Sequence, residues 1–240
     1  MRAVIQFENV SFSYEAGQPV LHDINLTIHD GESLGIIGAN GTGKSTLVKL
    51  LMGLMPYDGT IRVDELVVEK KNYAEIRRRL GYVLQDSDNQ MFMPTVFEDM
   101  MFAPRNYGLS AEEAEAKVDA VLKKLGLTEL KNRYNHKISG GEKRMAAIAT
   151  ILTMDPRVII MDEPSIALDP YNRRAVIRAV NDLSMTKIIV SHDLDLILDT
   201  CRRVVLLSAG RIVADADAET ILHDRGLLEA NRMELPLSLT

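Results

Sequence analysis

The sequence is poor in cysteine, since Cys201 is the only one among 240 residues. A single cysteine excludes an internal disulfide, and its apolar neighbours predict a packed small side chain. The chain also lacks an uninterrupted apolar stretch of about 18 residues, and Met1 to Gln6 show no apolar leader segment. We therefore expect a cytoplasmic protein with no direct membrane insertion.

Basic charge is also lacking, because 28 Lys and Arg residues face 34 Asp and Glu residues for a net charge of -6. A broad phosphate-binding surface needs a basic field, so we expect no nucleic-acid partner. Charged residues make up 26% of the chain and hydrophobic ones 46%, which is typical of a folded domain with a sizeable core.

A phosphate-binding loop is the strongest positive signal. Residues 38–45 read Gly-Ala-Asn-Gly-Thr-Gly-Lys-Ser and lie between an apolar strand pattern and a helical pattern of Leu47, Leu50, Leu51 and Leu54. Glycines let backbone N–H groups converge on phosphate oxygens, Lys44 can bridge the β- and γ-phosphates, and the Ser45 hydroxyl can hold Mg²⁺. The sequence therefore predicts a nucleotide site between a strand and a helix.

Two carboxylates, Asp162 and Glu163, follow the apolar strand pattern of residues 158–161. In P-loop enzymes an acid at this place holds the Mg²⁺ shell, and a second group positions the attacking water. Because neighbouring strand residues point in opposite directions, we assign Asp162 to the metal and Glu163 to the water.

A second helix start, at Ser139-Gly140-Gly141-Glu142, has an unusual composition. Ser139 and Glu142 fit a capping box. Two glycines in the first turn weaken a helix, but they leave N–H groups exposed to the close approach of an anion.

The remaining patterns predict an α/β fold. Alternating apolar residues predict antiparallel strands on either side of Gly17, and continuous apolar runs near residues 158, 187 and 204 predict a buried parallel sheet. We predict a single domain over residues 1–240, with a mainly antiparallel β lobe at 1–32, a P-loop core at 33–85, a helical lobe at 86–156 and the remainder of the core at 157–240.

The order of these motifs resembles the ATP-binding-cassette (ABC) ATPases along nearly the whole chain. The resemblance is carried by residues 38–45, Gln85, residues 139–141, Asp162-Glu163, Asp169 and His192. It implies the fold of an ABC nucleotide-binding domain, with a P-loop core and parallel sheet, an antiparallel β lobe and an inserted α-helical lobe. It also implies an ATPase that drives a membrane transporter.

The resemblance implies a head-to-tail homodimer, in which residues 139–141 of one copy close over ATP held by the P-loop of the other. It assigns Asp169 to a dimer contact, His192 to γ-phosphate sensing and Tyr14 to stacking on adenine. Glu163, His192 and Lys44 are then catalytic. The Mg²⁺ ligands are Ser45, Gln85 and Asp162. The ATP-binding set is Tyr14, Gly38, Asn40, Gly41, Thr42, Gly43, Lys44, Ser45, Thr46, Ser139, Gly140, Gly141 and Asp169.

Two residues depart from the family pattern. Glu142 stands where Gln is frequent, and Ile166 where a small residue is frequent. We expect the first to add negative charge near the partner's nucleotide and the second to alter packing across the dimer, but neither removes a catalytic group.

Methionine and phenylalanine are concentrated in residues 91–102, after Gln85. From composition, a groove for a membrane partner's helix and the core of the helical lobe are equally good interpretations.

The segment 91–102 and residues 228–237 resemble the ATPases of energy-coupling-factor importers, especially the cobalt and nickel type, which favours docking. Vitamin-type members commonly have a longer C-terminal extension than a chain that stops at Thr240. We therefore expect a homodimeric metal-importer subunit, peripheral on the cytoplasmic face of the cell membrane through integral-membrane transporter subunits.

Three alternatives remain open from the sequence. One is a vitamin importer ATPase of the same group. The second is a P-loop small-molecule kinase, in which residues 139–141 would have no purpose. The third is a non-transport cassette acting on DNA or ribosomes.

Overall fold

The computed structural model describes residues 2–15 and 17–240, so Met1 and Ala16 lie outside it. Met1 belongs to the N-terminal segment that we expect to lack a leader. The strands are β1 Ala3–Glu15, β2 Gln18–His29, β3 Ser33–Ile37, β4 Asp58–Val63, β5 Leu66–Val67, β6 Leu80–Val83, β7 Val158–Asp162, β8 Thr186–Val190, β9 Arg203–Ser208 and β10 Arg211–Asp217. The α-helices are α1 Lys44–Leu51, α2 Tyr73–Arg79, α3 Ser87–Gln90, α4 Val96–Asn106, α5 Ala111–Leu125, α6 Gly140–Leu152, α7 Pro170–Asn181, α8 Leu194–Thr200, α9 Ala218–Leu222 and α10 Arg225–Ala230.

The strands form two sheets. The first is antiparallel, with the order β2-β1-β4-β5, and the second has the order β10-β9-β3-β8-β7-β6. Strands β9, β3, β8, β7 and β6 of the second sheet are parallel, whereas β10 pairs antiparallel with β9 at its edge. The predicted α/β class is confirmed, and the boundaries of its lobes stay a prediction.

The parallel sheet brings the predicted motifs to one edge. The carboxyl ends of parallel strands lie on the same side of a sheet, which is where ligands bind in open α/β folds. The P-loop follows β3, Gln85 lies after β6, Asp162 ends β7, and His192 follows β8.

Each central strand is buried on both faces. In β7, Val158 and Ile160 pack into a core shared with the antiparallel sheet and α1, whereas Ile159 and Met161 pack into a core shared with the helices on the opposite face. This explains the continuous apolar runs, since both faces of such a strand exclude water.

The capping box predicted at Ser139 and Glu142 is present, and a second one begins another helix. Ser110 and Glu113 form a capping box at α5, Ser139 and Glu142 form one at α6, and Gly126 ends α5 in the left-handed region at φ 68°. The prediction for Leu54 was wrong. Helix α1 ends at Leu51, Gly53 turns the chain with φ 64°, and Leu54 is 57% exposed instead of continuing the apolar face.

The methionine-rich segment is divided between core and surface. Met91 and Met100 are buried, whereas Phe92 and Phe102 are 62% and 41% exposed. The rings of Phe92 and Phe102 pack edge to face, with 5.0 Å between their centroids. The core interpretation therefore holds for Met91 and Met100, and docking of a membrane partner at the exposed rings stays a prediction.

Cys201 is buried, as the sequence predicted. Burial raises the pKa of its thiol to about 12. Among the described residues, none of the helices has the length and apolar character needed to cross a bilayer.

Candidate functional site

A pocket of about 450 Å³ opens at the carboxyl edge of the parallel sheet. A volume of this size suits a small-molecule ligand. Ten of the predicted site residues line it: Tyr14, Asn40, Gly41, Gly43, Lys44, Ser45, Thr46, Gln85, Glu163 and His192. The fold thus brings together residues that lie as far apart in the sequence as Tyr14 and His192.

Lys44 is held inside the P-loop. Its ammonium group donates hydrogen bonds to the carbonyl oxygens of Gly38 at 2.6 Å and Ala39 at 3.1 Å. Burial lowers the pKa of Lys44, and the nearby carboxylates of Glu163 and Asp162 oppose this shift. The site therefore combines a buried cation with two nearby carboxylates.

Gly38 and Thr42 support the loop from outside this pocket. Gly38 has φ 149°, and a Cβ added there would lie 2.2 Å from the carbonyl oxygen of Leu207, so only glycine fits beside β9. The Thr42 hydroxyl donates to the carbonyl oxygen of Ala39 at 2.9 Å. These two residues shape the loop rather than line the cavity.

Asp162 is buried at the end of β7. Its Oδ2 accepts a hydrogen bond from the Tyr82 hydroxyl at 3.1 Å, while Oδ1 is buried without a hydrogen-bond partner among the described residues. Burial raises the pKa of the Asp162 carboxyl, against the hydrogen bond from Tyr82. An orphaned buried carboxylate oxygen is costly, which is a sign that a ligand belongs there.

Glu163 points away from Asp162, towards the end of β8. Its Oε2 accepts a hydrogen bond from the Ser191 hydroxyl at 3.0 Å and lies 2.8 Å from Nδ1 of His192. Its Oε1 accepts from the backbone N–H of His192 at 3.1 Å. The side chains of the two acids have different partners, which agrees with the expected direction of each. The reason is not the alternation of side chains along a strand, since Glu163 lies beyond β7 in the left-handed region at φ 49°.

The other predicted nucleotide contacts lie outside the pocket. Gly140 lines a neighbouring cleft of about 350 Å³, and Ser139 is exposed at the N-cap of α6. An added Cβ at Gly140 would meet nothing within 4 Å, whereas one at Gly141 would lie 2.1 Å from the amide carbon of Asn172. Asp169 caps α7 and accepts a hydrogen bond from the Asn172 side chain at 2.6 Å. The starts of α6 and α7 are therefore packed together at Gly141.

Comparison with known proteins identifies the family. The sequence profile of the ABC transporter family matches residues 21–166. The energy-coupling factor transporter ATP-binding protein EcfA of Methanothermobacter thermautotrophicus is 38% identical, over 97% of this chain and 77% of its own length. The chain belongs to the ABC transporter ATPase family. It is therefore an ATP-binding subunit that hydrolyses ATP for transport, and such subunits work with membrane subunits.

Two further relatives of this ABC ATPase specify a transport system in their names. The cobalt import ATP-binding protein CbiO of Rhodobacter capsulatus is 37% identical, over 99% of this chain and 87% of its own length. The structure of CbiO1 from Clostridium perfringens, part of the ABC transporter complex CbiONQ, superimposes with a TM-score of 0.86 at 31% identity, and the match covers 96% of this chain and 94% of that one.

The two departures of this ABC ATPase from its family pattern have clear positions. Glu142 accepts the backbone N–H of Ser139 at 2.7 Å, and this hydrogen bond lowers the pKa of its carboxyl. The negative charge therefore stabilises the start of α6. Ile166 lines both the main pocket and the cleft beside Gly140.

Sequence reasoning missed three supporting side chains of this ABC ATPase. Tyr82 and Ser191 hold the two carboxylates, as described above. Arg144, buried in α6, donates to the carbonyl oxygen of Leu84 at 2.7 Å and to that of Gln85, so it ties the loop of Gln85 to this helix. Single-sequence patterns contain no signal for these pairs, because each joins elements that only the folded sheet makes neighbours.

Proposed function

We propose that this ABC ATPase powers an energy-coupling-factor type importer, with cobalt or nickel ions as the cargo. The observation that carries the proposal is the similarity to EcfA and CbiO along nearly the whole of this chain, together with the overlap of the fold with CbiO1. The cobalt assignment depends on the relatives' system alone. A vitamin importer of the same group is the alternative, and the test below separates the two cargoes.

We assign the main pocket to the triphosphate of ATP. Backbone N–H groups of the P-loop and the Lys44 ammonium group supply the positive side of the pocket, and the dipole of α1 adds to it. Tyr14 is an exposed aromatic residue at the rim, and its hydroxyl lies 3.1 Å from that of Thr46. A ring held at this place can stack on the base of the nucleotide.

The residues beside the phosphates also fit Mg²⁺. Magnesium prefers hard oxygen ligands, and the site offers the orphaned Oδ1 of Asp162, the Ser45 hydroxyl and the Gln85 side chain. When bound, Mg²⁺ would neutralise charge on the phosphate oxygens. Tyr82 fixes the Asp162 carboxylate in the orientation that leaves Oδ1 free.

We assign the activation of water to Glu163. Its carboxylate is oriented by Ser191 and by His192, so its remaining acceptor capacity faces the pocket in a fixed direction. His192 can exchange its contact with Glu163 for a contact with the γ-phosphate. This pair therefore links water activation to the presence of the terminal phosphate.

The site becomes complete, in this proposal, when a second copy of the chain covers it. The first N–H groups of α6 have no partner within the helix, and the capping box uses those of Ser139 and Glu142 but not that of Gly140. The open space around Gly140 is therefore suited to a phosphate group brought by another copy.

Replacing Gly140 with Asp tests this arrangement without disturbing the monomer. A Cβ added at Gly140 meets nothing within 4 Å, and an acid in the first turn of a helix is favourable by about 0.3–1 kcal/mol. We expect unchanged thermal stability and unchanged ATP affinity, but loss of ATP-dependent dimers and of turnover, because the carboxylate repels the partner's triphosphate. Light scattering with saturating ATP measures the dimer, with Gly140→Ala as the matched control. Normal dimers of the Asp variant would contradict the proposed contact.

The exposed ring pair of Phe92 and Phe102 is the proposed contact with a membrane subunit. The backbone at Phe92 is anchored, because the Asp99 carboxylate accepts the N–H groups of Phe92 and Met93 at 3.1 Å each. An anchored backbone that exposes two aromatic rings suits the insertion of an apolar helix.

We expect the double change Phe92→Ser and Phe102→Ser to abolish capture of membrane subunits while the isolated protein keeps its ATP affinity. The tagged chain is extracted in mild detergent from its own cells, and captured proteins are identified by mass spectrometry. Leu54→Ser, a change at another exposed apolar residue, is the control and should capture normally. In the same cells, uptake of radioactive Co²⁺ or Ni²⁺ that depends on this chain would support the metal cargo, whereas vitamin uptake alone would overturn it.

A further inference from the structure

A second and larger cavity, of about 960 Å³, lies beside the proposed ATP pocket. The outer side of the P-loop, at Gly38, Ala39 and Asn40, forms one wall, and residues 232–238 form another. Asn40 and His192 line both cavities. Only the shared side chains of Asn40 and His192 therefore separate the segment after α10 from the proposed site of hydrolysis.

Residues 231–240, which we name the closing segment, are seated on the protein. Arg232 turns the chain with φ 60°, and the N–H of Met233 donates to the carbonyl oxygen of Leu228 at 2.9 Å. Met233 and Leu235 pack against the helical core, and Pro236 is buried. These contacts bring the segment back across the start of α8.

Asp195 is the point where the closing segment is fastened. Its Oδ2 accepts the backbone N–H of Leu237 at 2.9 Å, and its Oδ1 accepts that of Ser238 at 3.0 Å. These are the first two N–H groups of a short 3-10 turn over residues 237–239. A carboxylate with both oxygens bound to N–H groups makes a strong, directional link.

The other side of the same helix start is fastened to α7. Asp193, the N-cap of α8, accepts two hydrogen bonds from the Arg173 guanidinium at 2.7 and 2.8 Å and one from the Ser165 hydroxyl at 2.9 Å. His192 immediately precedes this N-cap, so its backbone lies next to both sets of hydrogen bonds.

We propose that Asp195 is a positioning residue for hydrolysis, which acts with the closing segment to keep the backbone of His192 in place between Glu163 and the proposed ATP pocket. The inference rests on the proposed role of His192 in sensing the γ-phosphate. It also gives residues 231–240 a role in the rate of ATP hydrolysis. Without their hydrogen bonds to Asp195, the first turn of α8 becomes more mobile, and His192 can move away from its position beside the bound nucleotide. A displacement of this kind affects the chemical step more than ATP binding, since Lys44 and the P-loop amides are held by other contacts.

Leu237→Pro tests the link with very little other change. The substitution removes the one backbone N–H that residue 237 donates to Asp195. Proline fits at this position, because residue 237 is the first of a 3-10 turn. The preceding Pro236 already has the extended ψ of 139° that a following proline requires. Leu237 is 80% exposed, so the lost side chain contributes little packing. We expect kcat for ATP to fall about 3- to 30-fold with KM changed less than about twofold.

The matched control is Leu237→Ala, which removes the same side chain but keeps the N–H, and it should turn over ATP normally. Asp195→Asn should reproduce the proline effect, whereas Asp199→Asn, an exposed acid that lines the same cavity from the same helix, should not. Because Asp195→Asn and Leu237→Pro weaken the same pair of hydrogen bonds, the double variant should lose less activity than the product of the two single losses.

Hydrogen exchange and His192→Ala separate the possible outcomes. Faster exchange at residues 191–196 in Leu237→Pro, together with the lower kcat, supports the inference. A lower melting temperature with unchanged kcat means that the closing segment only stabilises the fold, and it overturns the inference. If His192→Ala itself keeps full turnover, the proposed role of His192 fails instead.

Discussion

Glu163→Gln is expected to lower the rate of ATP hydrolysis about 100-fold or more, which is the scale of losing a general base. The substitution keeps the size of the side chain, but an amide cannot take a proton from water. It also places an NH₂ group towards donors, since the Ser191 hydroxyl and the His192 N–H both donate to the present carboxylate. Steady-state release of phosphate measures the effect.

ATP binding should survive this change, because Lys44 and the P-loop provide the phosphate contacts. With hydrolysis blocked, the ATP-bound dimer should accumulate and be visible by light scattering. Glu113→Gln is the matched control, since it changes an acid to its amide in the capping box of α5, where glutamine also caps. Near-normal turnover in Glu163→Gln would remove Glu163 from the role of base.

Local sequence patterns were enough to predict the parts of the site that depend on neighbouring residues. The P-loop, the capping box at Ser139 and the buried strand before Asp162 are each encoded within a few neighbouring residues. Such features depend on backbone hydrogen bonding and on the period of apolar residues, so a single sequence contains them.

Contacts between distant elements could not be predicted in this way. The bond between Tyr82 and Asp162 exists because β6 lies beside β7, and the strand order that places them together is a property of the whole sheet. The same holds for Arg144 beside Gln85. Backbone strain was also hidden, since a non-glycine residue with positive φ, such as Glu163, is rare enough that no pattern favours it.

The segment after Gln85 illustrates a different limit. Its methionines and phenylalanines have similar hydrophobicity, so composition could not distinguish the buried from the exposed members. In the structure the Asp99 carboxylate accepts the backbone N–H groups of Phe92 and Met93, and the Phe92 ring beside this anchor is exposed. Such an anchor depends on a residue seven positions away, which composition alone does not reveal.

Lys44→Ala is expected to weaken nucleotide binding strongly, in contrast to Glu163→Gln. The ammonium group is the only lysine or arginine charge lining the pocket in the described part of the chain, and removing one partner of a buried charge pair typically costs about 2–5 kcal/mol, or about 30- to 4000-fold in affinity. The fold itself should persist, because burial already lowers the pKa of Lys44 and its charge therefore costs desolvation energy in the free protein.

A melting experiment with and without ATP measures both expectations at once. The unliganded variant should melt close to the wild type. The rise in its melting temperature on adding ATP should be much smaller than that of the wild type, since the rise depends on ligand concentration relative to Kd. Lys49→Ala is the matched control, because it removes an exposed lysine from the last turn of the same helix and should keep the full ATP-induced rise. An unchanged rise in Lys44→Ala would mean that the triphosphate lies elsewhere, whereas a much smaller rise together with normal folding would place the phosphate contact on the Lys44 ammonium group.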